Sequence, residues 1–358
     1  MIVIVDDSLK LLEDLTVKHR YEKDITTKDK LAENVFKIIE DLKTKAISKF
    51  YEDSDIKRFL DNLVRFNNYS YNNLLLISLQ KPTASYVASR KTFYKMGYSL
   101  KDGAKEIKVY IPNFYSLVKI QRNNGEYDIV PYFTLKPDEI KKYKDKNDSS
   151  ITFYKQKISG FSFGTVFDAS DATMPLDAID EELNPVLDDV RASEVKDCLI
   201  KVIYKDKFKV KYEDLHGTEK GHCDFKNKTI VIRNGLSDLM QVKVLIHEYV
   251  HALAHKHLED NYLDYKEHRN KYETEAESIS YVVSNYLGLK ENDHSLTYLY
   301  AWSKNQDFKE IDDSLNTIVN YSKKIINNYE KFYDKEFGLY AEDYKKRIKK
   351  IKYIRVVV

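Results

Sequence analysis

Val242-Lys-Val-Leu-Ile-His247-Glu248-Tyr-Val-His251-Ala-Leu-Ala-His-Lys-His257 is the stretch on which the fold and the chemistry both turn. Its main apolar residues, Val244, Leu245, Val250 and Leu253, recur at helical spacing, so the segment predicts a helix with one buried face. His247 and His251 are four residues apart, which projects both imidazoles from one face toward a single ion. Glu248 follows the first histidine, beside that ion and not on it. There it can take a proton from a metal-bound water and pass it to a leaving amine. The pattern is that of a zinc peptidase, and a site of this kind needs a third protein ligand with one position left for water.

Three candidates stand downstream. His255 lies about 12 Å further along the same helix than His247, too far to share the ion. His257 occupies the third-histidine place of the longer metzincin pattern. That pattern demands a glycine where this chain has Ala254 and a Met-turn further on, yet the last methionine is Met240. The third candidate is a glutamate from Tyr272-Glu-Thr-Glu-Ala-Glu-Ser-Ile-Ser-Tyr281, which reads as the next helix. Glu273 and Glu277 share a face of it, while Glu275 points the other way. The simplest arrangement puts Glu273 on zinc, with Glu277 behind a ligand histidine and orienting it. Glu277 on the ion is the rival. His216, His222, His268 and His294 read as surface or loop histidines. One of them, or Tyr298 or Tyr300, is open as the group that stabilises a tetrahedral oxyanion.

Working outward, a strand at Thr229-Ile-Val-Ile-Arg233 precedes the metal helix. It is open as an edge for peptide addition or as an ordinary sheet strand. A helix and a strand around Lys201–Tyr204 come before it, and helices fill the remainder. The N-terminal half mixes types. Helices are expected over 28–66, then a buried helix at Asn72–Leu79 ended by Pro82, then a short one from Ser89 to Met96 closed by Gly97. Strands are expected at Ile107–Ile111, Tyr115–Ile120 and Ile151–Lys157, with an Asn123-Asn-Gly125 turn and a Lys-rich polar stretch from Lys136 to Asn147 between them. The fold class is α+β. The expected organisation is an α+β domain over 1–165, an acidic linker over 166–191, a mainly helical domain with a small sheet over 192–328, and a helical basic tail over 329–358.

At 358 residues the chain can bury two cores, and its formal net charge of +2 says nothing about partners. Local charge does. Between Lys81 and Lys157 there are 16 Lys/Arg against 8 Asp/Glu, and between Val166 and Ile200 10 acidic residues face Arg191 and Lys196. Cys198 and Cys223 are too few for a disulfide framework, which favours a reducing, cytoplasmic setting. No apolar run is long enough to span a bilayer, and Met1–Val5, followed by Asp6-Asp7, does not read as a signal peptide.

Leu245-Ile-His-Glu-Tyr-Val-His-Ala252, Glu273-x-x-x-Glu277-Ser and the run from Val282 to Leu289 together resemble the zincin-like domain of the antirestriction ArdC/LtrC-like family. Phe163-Gly-Thr-Val-Phe-Asp168 and Ala301-Trp302-Ser-Lys304 fit the same family. Tyr69-Ser-Tyr-Asn72, Ser89-Arg-Lys-Thr-Phe93-Tyr94-Lys-Met96-Gly97 and Leu100-Lys101-Asp-Gly103-Ala-Lys105 resemble its single-stranded-DNA-binding domain. Phe93 stands where the family usually carries Trp, and the tail after Tyr329 is extra. The resemblance implies a gluzincin-type metallopeptidase domain, a Zn2+ cofactor and protection of incoming mobile-element DNA against host restriction.

A single-strand binder needs cations along the backbone and aromatic faces for the bases. Tyr69, Tyr71, Tyr86, Phe93, Tyr94 and Tyr98 lie among Lys81, Arg90, Lys91, Lys95, Lys101 and Lys105. The residues expected to touch DNA are Tyr69, Tyr71, Lys91, Phe93, Lys101 and Lys105. The partners expected are single-stranded DNA and a protein or peptide substrate, with no membrane. Two other readings stay open: a DNA-coating protein whose metal site is structural or vestigial, and a peptidase that cleaves a regulatory repressor.

Overall fold

The computed structural model describes residues 25–48, 53–122, 125–145, 148–174, 189–255, 262–289 and 306–336. His257, His294, Tyr298, Tyr300, Trp302, most of the acidic linker and the tail beyond Glu336 lie outside the described residues. So does the opening Met1–Val5. The fold is α+β. Two compact units divide the chain, one from 1–39 with 108–164 and the other from 40–107 with 165–358, so neither is continuous in sequence.

The first unit is built on strands β2 (Ile107–Gln121), β3 (Tyr127–Pro131) and β4 (Ile151–Asp168), with β2 in the middle. Strands β2 and β3 form a hairpin whose register pairs Lys119 with Ile129 and Gln121 with Tyr127. Gly125 turns it with φ +82°, a left-handed conformation that costs glycine nothing. Val118 and Ile151 pack with Leu135 into a small core against helix Pro137–Lys144. That helix lies within the Lys-rich polar stretch, for which no helix was expected, and it starts at Pro137 with Glu139 accepting from the Lys136 N–H at 2.7 Å. Strand β2 is also longer than expected, running unbroken through Pro112 and Asn113 where two strands were anticipated.

The second unit is mostly helical. Its labels here are α1 for Asp53–Arg65, α2 for Tyr71–Gln80, α3 for Asp189–Lys205, α4 for Asp238–Ala254, α5 for Tyr262–Glu267, α6 for Arg269–Tyr286 and α7 for Phe308–Glu336. The end of β4 also lies here, and Phe167 and Asp168 pair with Ala88 and Val87 of the short strand β1. Helix α6 packs against α4, α7 and α1, and α3 packs against α4. Lys201–Tyr204, expected as a strand, is the last turn of α3. Val195, Cys198, Leu199, Val202 and Ile203 are buried, and that spacing is helical despite the β-branched run. Among the described residues no helix is long and apolar enough to cross a membrane.

The sheet of this unit has the order β5-β7-β6, with β5 Lys209–Glu213, β6 Gly221–Asp224 and β7 Thr229–Arg233. Strand β7 is therefore central, parallel to β5 and antiparallel to β6. Its backbone is taken up on both sides, so it cannot accept an added strand. The edge beside α4 is β6.

Candidate metal centre

Ser237 caps α4 by accepting from the Met240 N–H, and Asp238 in the first turn complements the positive end of the helix. The apolar face of α4 is buried through Val242, Leu245, Ile246 and Tyr249, the last donating to Asp206 at 2.6 Å. That face fixes the rotation of the helix and sends His247 and His251 toward α6. His247 Nε2 and His251 Nε2 lie 3.2 Å apart. Glu273 Oε2 lies 3.7 Å from each of them. These three residues form the one group of possible metal ligands among the described residues.

The fit to an ion follows from those distances. A triangle with sides of 3.2, 3.7 and 3.7 Å has its centre roughly 2.1 Å from every corner, and that is the length of a zinc–nitrogen or zinc–carboxylate bond. Two neutral imidazoles with one carboxylate suit zinc and other borderline divalent cations. Burial pushes His251 down to about 4, against the raising influence of Glu273, so its ring is neutral near pH 7. His247 goes the other way. Burial lowers it, but the facing carboxylates of Glu273, Glu248 and Glu277 outweigh that and raise it to about 9. Glu273 is held far below the usual carboxylate range: burial opposes ionisation, and the two facing imidazoles together with the hydrogen bond from Tyr265 overcome it. A carboxylate facing a protonated His247 is the group that a cation would displace that proton to reach.

Glu248 is buried on the same helix. Burial raises it to about 7, with His247 pulling down and Glu273 pushing up, and the Cys223 backbone N–H bonds its carboxylate. Gly221 permits this approach of β6 to α4. A Cβ there would stand 2.5 Å from Val244 Cγ1 and 2.7 Å from the Val231 carbonyl oxygen.

Glu277 Oε1 lies 3.7 Å from His247 Nδ1, on the ring nitrogen opposite the cluster, while Glu273 is the carboxylate that faces both imidazoles. Glu275 points away from the cluster but not into solvent. Its Oε2 is 3.1 Å from His255 Nε2, and its Oε1 accepts from Ser314 Oγ at 2.6 Å. His255 Nδ1 in turn is 3.0 Å from His251 Nδ1. This buried chain was not anticipated from sequence, and neither was Tyr265, which donates to Glu273 Oε1 at 2.7 Å. The acidic residues of α6 were the available signal, since a fully buried helix face does not carry a glutamate without a partner.

The residues expected to touch DNA separate into two sets. Lys91, Lys101 and Lys105 are exposed. Tyr69, Tyr71 and Phe93 are buried. Phe93 packs edge-on to Tyr86 at 5.8 Å, Tyr69 donates to the Val87 carbonyl, and Tyr71 donates to Asp312 at 2.7 Å. This moves the three rings from the expected nucleic-acid surface into the core, where aromatic area stabilises the unit. The exposed ring of that stretch is Tyr94.

Residues 26–167 match the N-terminal domain of anti-restriction factor ArdC, and residues 197–289 match the IrrE N-terminal-like domain of the M78 peptidases. Residues 26–167 thus form an ArdC-type N-terminal domain, and residues 197–289 an M78-type peptidase-like domain. An uncharacterized protein of Bacillus anthracis is 25% identical over 317 residues, which is 85% of this chain and 53% of that relative. The chain thus spans about half the length of the curated relative it matches. Crystal structures of the antirestriction ArdC protein from plasmid R388, one metal-free and one with Mn(II) bound, are both 15% identical with a TM-score of 0.40. They cover 74% and 73% of this chain and 86% and 85% of their own. The M78 match and the His247–His251–Glu273 cluster together point to a divalent-metal site.

Proposed function

We propose that this chain is a zinc-dependent peptidase that also binds single-stranded DNA, acting in the antirestriction defence of mobile DNA. The peptidase half rests on the convergence of His247 Nε2, His251 Nε2 and Glu273 Oε2 next to a buried carboxylate of raised affinity for protons. Those three residues would hold the zinc, which when bound would polarise a peptide carbonyl and acidify water. Glu248 would then accept the proton of that water and deliver it to the leaving amine. Glu277 behind His247 would steady the ring that faces the ion. Edge strand β6, beside Glu248, offers backbone groups along which an extended peptide of some host protein could lie.

The test is metal content and cleavage measured together. Purified protein should hold about one zinc per chain, lose it in Glu273→Ala, and keep it in Glu248→Gln while peptide cleavage disappears. Retention of zinc in Glu273→Ala with loss in Glu277→Ala would move the ligand one turn along α6. A wild-type chain that takes up no zinc would overturn the peptidase reading.

The DNA half is favoured by a different observation. Lys119, on the middle strand of the first unit, lies 5.5 Å from the Tyr127 ring centre and 4.8 Å from that of Tyr154, on the strands either side. Both tyrosines are exposed, as is Ile129. An ammonium flanked by exposed rings on an uncovered sheet face suits a phosphate and two stacked bases, with little sequence preference. Lys91, Lys101 and Lys105 remain candidates for phosphate contacts. Anisotropy of a labelled oligonucleotide across a salt series separates these surfaces. Lys119→Glu should weaken binding and flatten its salt dependence, and Lys101→Glu with Lys105→Glu tests the second surface in the same way. Unchanged binding in both variants removes both surfaces from the DNA site.

A further inference from the structure

We infer that His255, Glu275 and Ser314 form a positioning chain that fixes the tautomer of His251 and aims its Nε2 lone pair into the metal centre. The inference rests on the metal reading above and adds residues that the three-ligand set does not contain. Its starting point is the identity of the terminal group. Glu275 is an acceptor when ionised, and it is almost fully buried. Ser314 Oγ donates to its Oε1 at 2.6 Å, and His255 Nε2 lies 3.1 Å from its Oε2. The carboxylate therefore requires a proton on His255 Nε2.

A neutral imidazole with its proton on Nε2 has a bare Nδ1. That atom is 3.0 Å from His251 Nδ1. Two bare nitrogens at this distance would repel, so the proton between them sits on His251 Nδ1. His251 Nε2 is then left unprotonated, 3.2 Å from His247 Nε2 and 3.7 Å from Glu273 Oε2. With Glu275 as a carboxylate and His255 as a neutral ring, every proton in the chain is assigned by the one before it. A ligand histidine whose far nitrogen donates to a fixed acceptor is held in both tautomer and ring angle, which conserves the ordering entropy that ion binding would otherwise cost.

The burial of the parts argues for this role over simple packing. His255 and Glu275 are each nearly inaccessible, and a hydrophobic pair would fill the same space without desolvating a carboxylate. The three groups also come from three different elements: the end of α4, the middle of α6 and the first turns of α7. The chain thereby ties the orientation of one ligand to the packing of the bundle.

Nitrogen NMR of the histidine rings in protein stripped of metal tests the assignment directly. His251 is expected to carry its proton on Nδ1, and a signal showing the proton on Nε2 would overturn the inference. In His255→Phe, which keeps an aromatic ring, His251 should relax toward the Nε2–H form that free imidazole prefers. Its zinc affinity should fall about 10- to 100-fold while circular dichroism stays unchanged. His255→Gln, whose side-chain oxygen can accept from Nδ1, should recover part of the affinity. Should His255→Phe fail to fold, Ser314→Ala supplies the same comparison with a smaller expected loss. Wild-type tautomer and wild-type affinity in either folded variant would refute the positioning role. A wild type that binds no zinc but shows the Nδ1–H tautomer would instead retire the metal reading alone.

Discussion

Tyr265 Oη donates to Glu273 Oε1 at 2.7 Å, leaving Oε2 to face the two imidazoles. One oxygen of the carboxylate is thus committed to α5 and the other faces the two imidazoles, so Glu273 would offer a metal ion a single oxygen. Tyr265→Phe should leave the fold intact and free the carboxylate to rotate. We expect zinc affinity to fall by about tenfold, the usual effect of losing a group that orients a ligand. Competition with a chromophoric chelator checks it, and an affinity equal to wild type would mean that α6 alone aims Glu273.

The raised proton affinity of Glu248 has a consequence for stability. A carboxyl whose folded value is about 7 favours the native state while protonated in both states. That contribution is lost as pH rises from the unfolded value near 4.3 through 7. Glu248→Gln has no charge to bury. Without metal it should therefore be the more stable chain at pH 8, by on the order of 1–3 kcal/mol, and should match wild type near pH 4. Urea melts at the two pH values measure this. A variant less stable at pH 8 would show that the Glu248 carboxylate is better accommodated by His247 than its burial implies.

Helical elements were legible wherever one face is apolar, as in α4 and α6, because the 3.6-residue period survives any tertiary context. The convergence of His247 and His251 was legible for the same reason: four-residue spacing puts two side chains on one face. Tyr69, Tyr71 and Phe93 were not, since an aromatic ring among lysines looks the same whether it meets a base or a core. Only burial separates the cases. The link from His255 to Glu275 joins residues twenty positions apart on two helices, and neither sequence neighbourhood contains the other. Strand β7 was recognised, but its central place depends on β5 and β6; both are short, and the alternation of Lys209-Val-Lys-Tyr-Glu213 does not say which strand it pairs with.

Gly221 sits where edge strand β6 approaches α4, and its Cα is the only carbon the gap admits. In Gly221→Ala the new methyl would meet the Val231 backbone oxygen at 2.7 Å, a contact that no rotamer change can relieve. Strand β6 must move outward, taking the Cys223 N–H from Glu248. The expected cost is about 1–3 kcal/mol. Cys223 should also react faster with a thiol reagent than in wild type. Unaltered thiol reactivity together with wild-type stability would mean that the sheet absorbs the methyl elsewhere.

Asp168 shows how a buried acid can hold a loop in place. Its Oδ1 accepts from the Ser85 N–H at 2.7 Å and the Tyr86 N–H at 3.2 Å, and its Oδ2 accepts from the Ser170 N–H at 3.0 Å. Lys81 Nζ stands 3.5 Å away. Burial works to raise its proton affinity, but the hydrogen bonds from Ser170, Ser85 and Tyr86 outweigh it, so the folded value lies below the ordinary one. A depressed carboxyl contributes stability above the unfolded value near 3.9, and that contribution fades as pH falls through the folded value. Asp168→Asn keeps one oxygen but turns the other acceptor into a donor facing the Ser170 N–H. The loss should be about 2–3 kcal/mol at pH 7, where a charged acceptor is replaced and a donor left unmet. It should shrink toward pH 2, where wild type is protonated as well. Denaturant midpoints at pH 7 and pH 2 decide the matter: an equal gap at both would assign the effect to shape and not to charge.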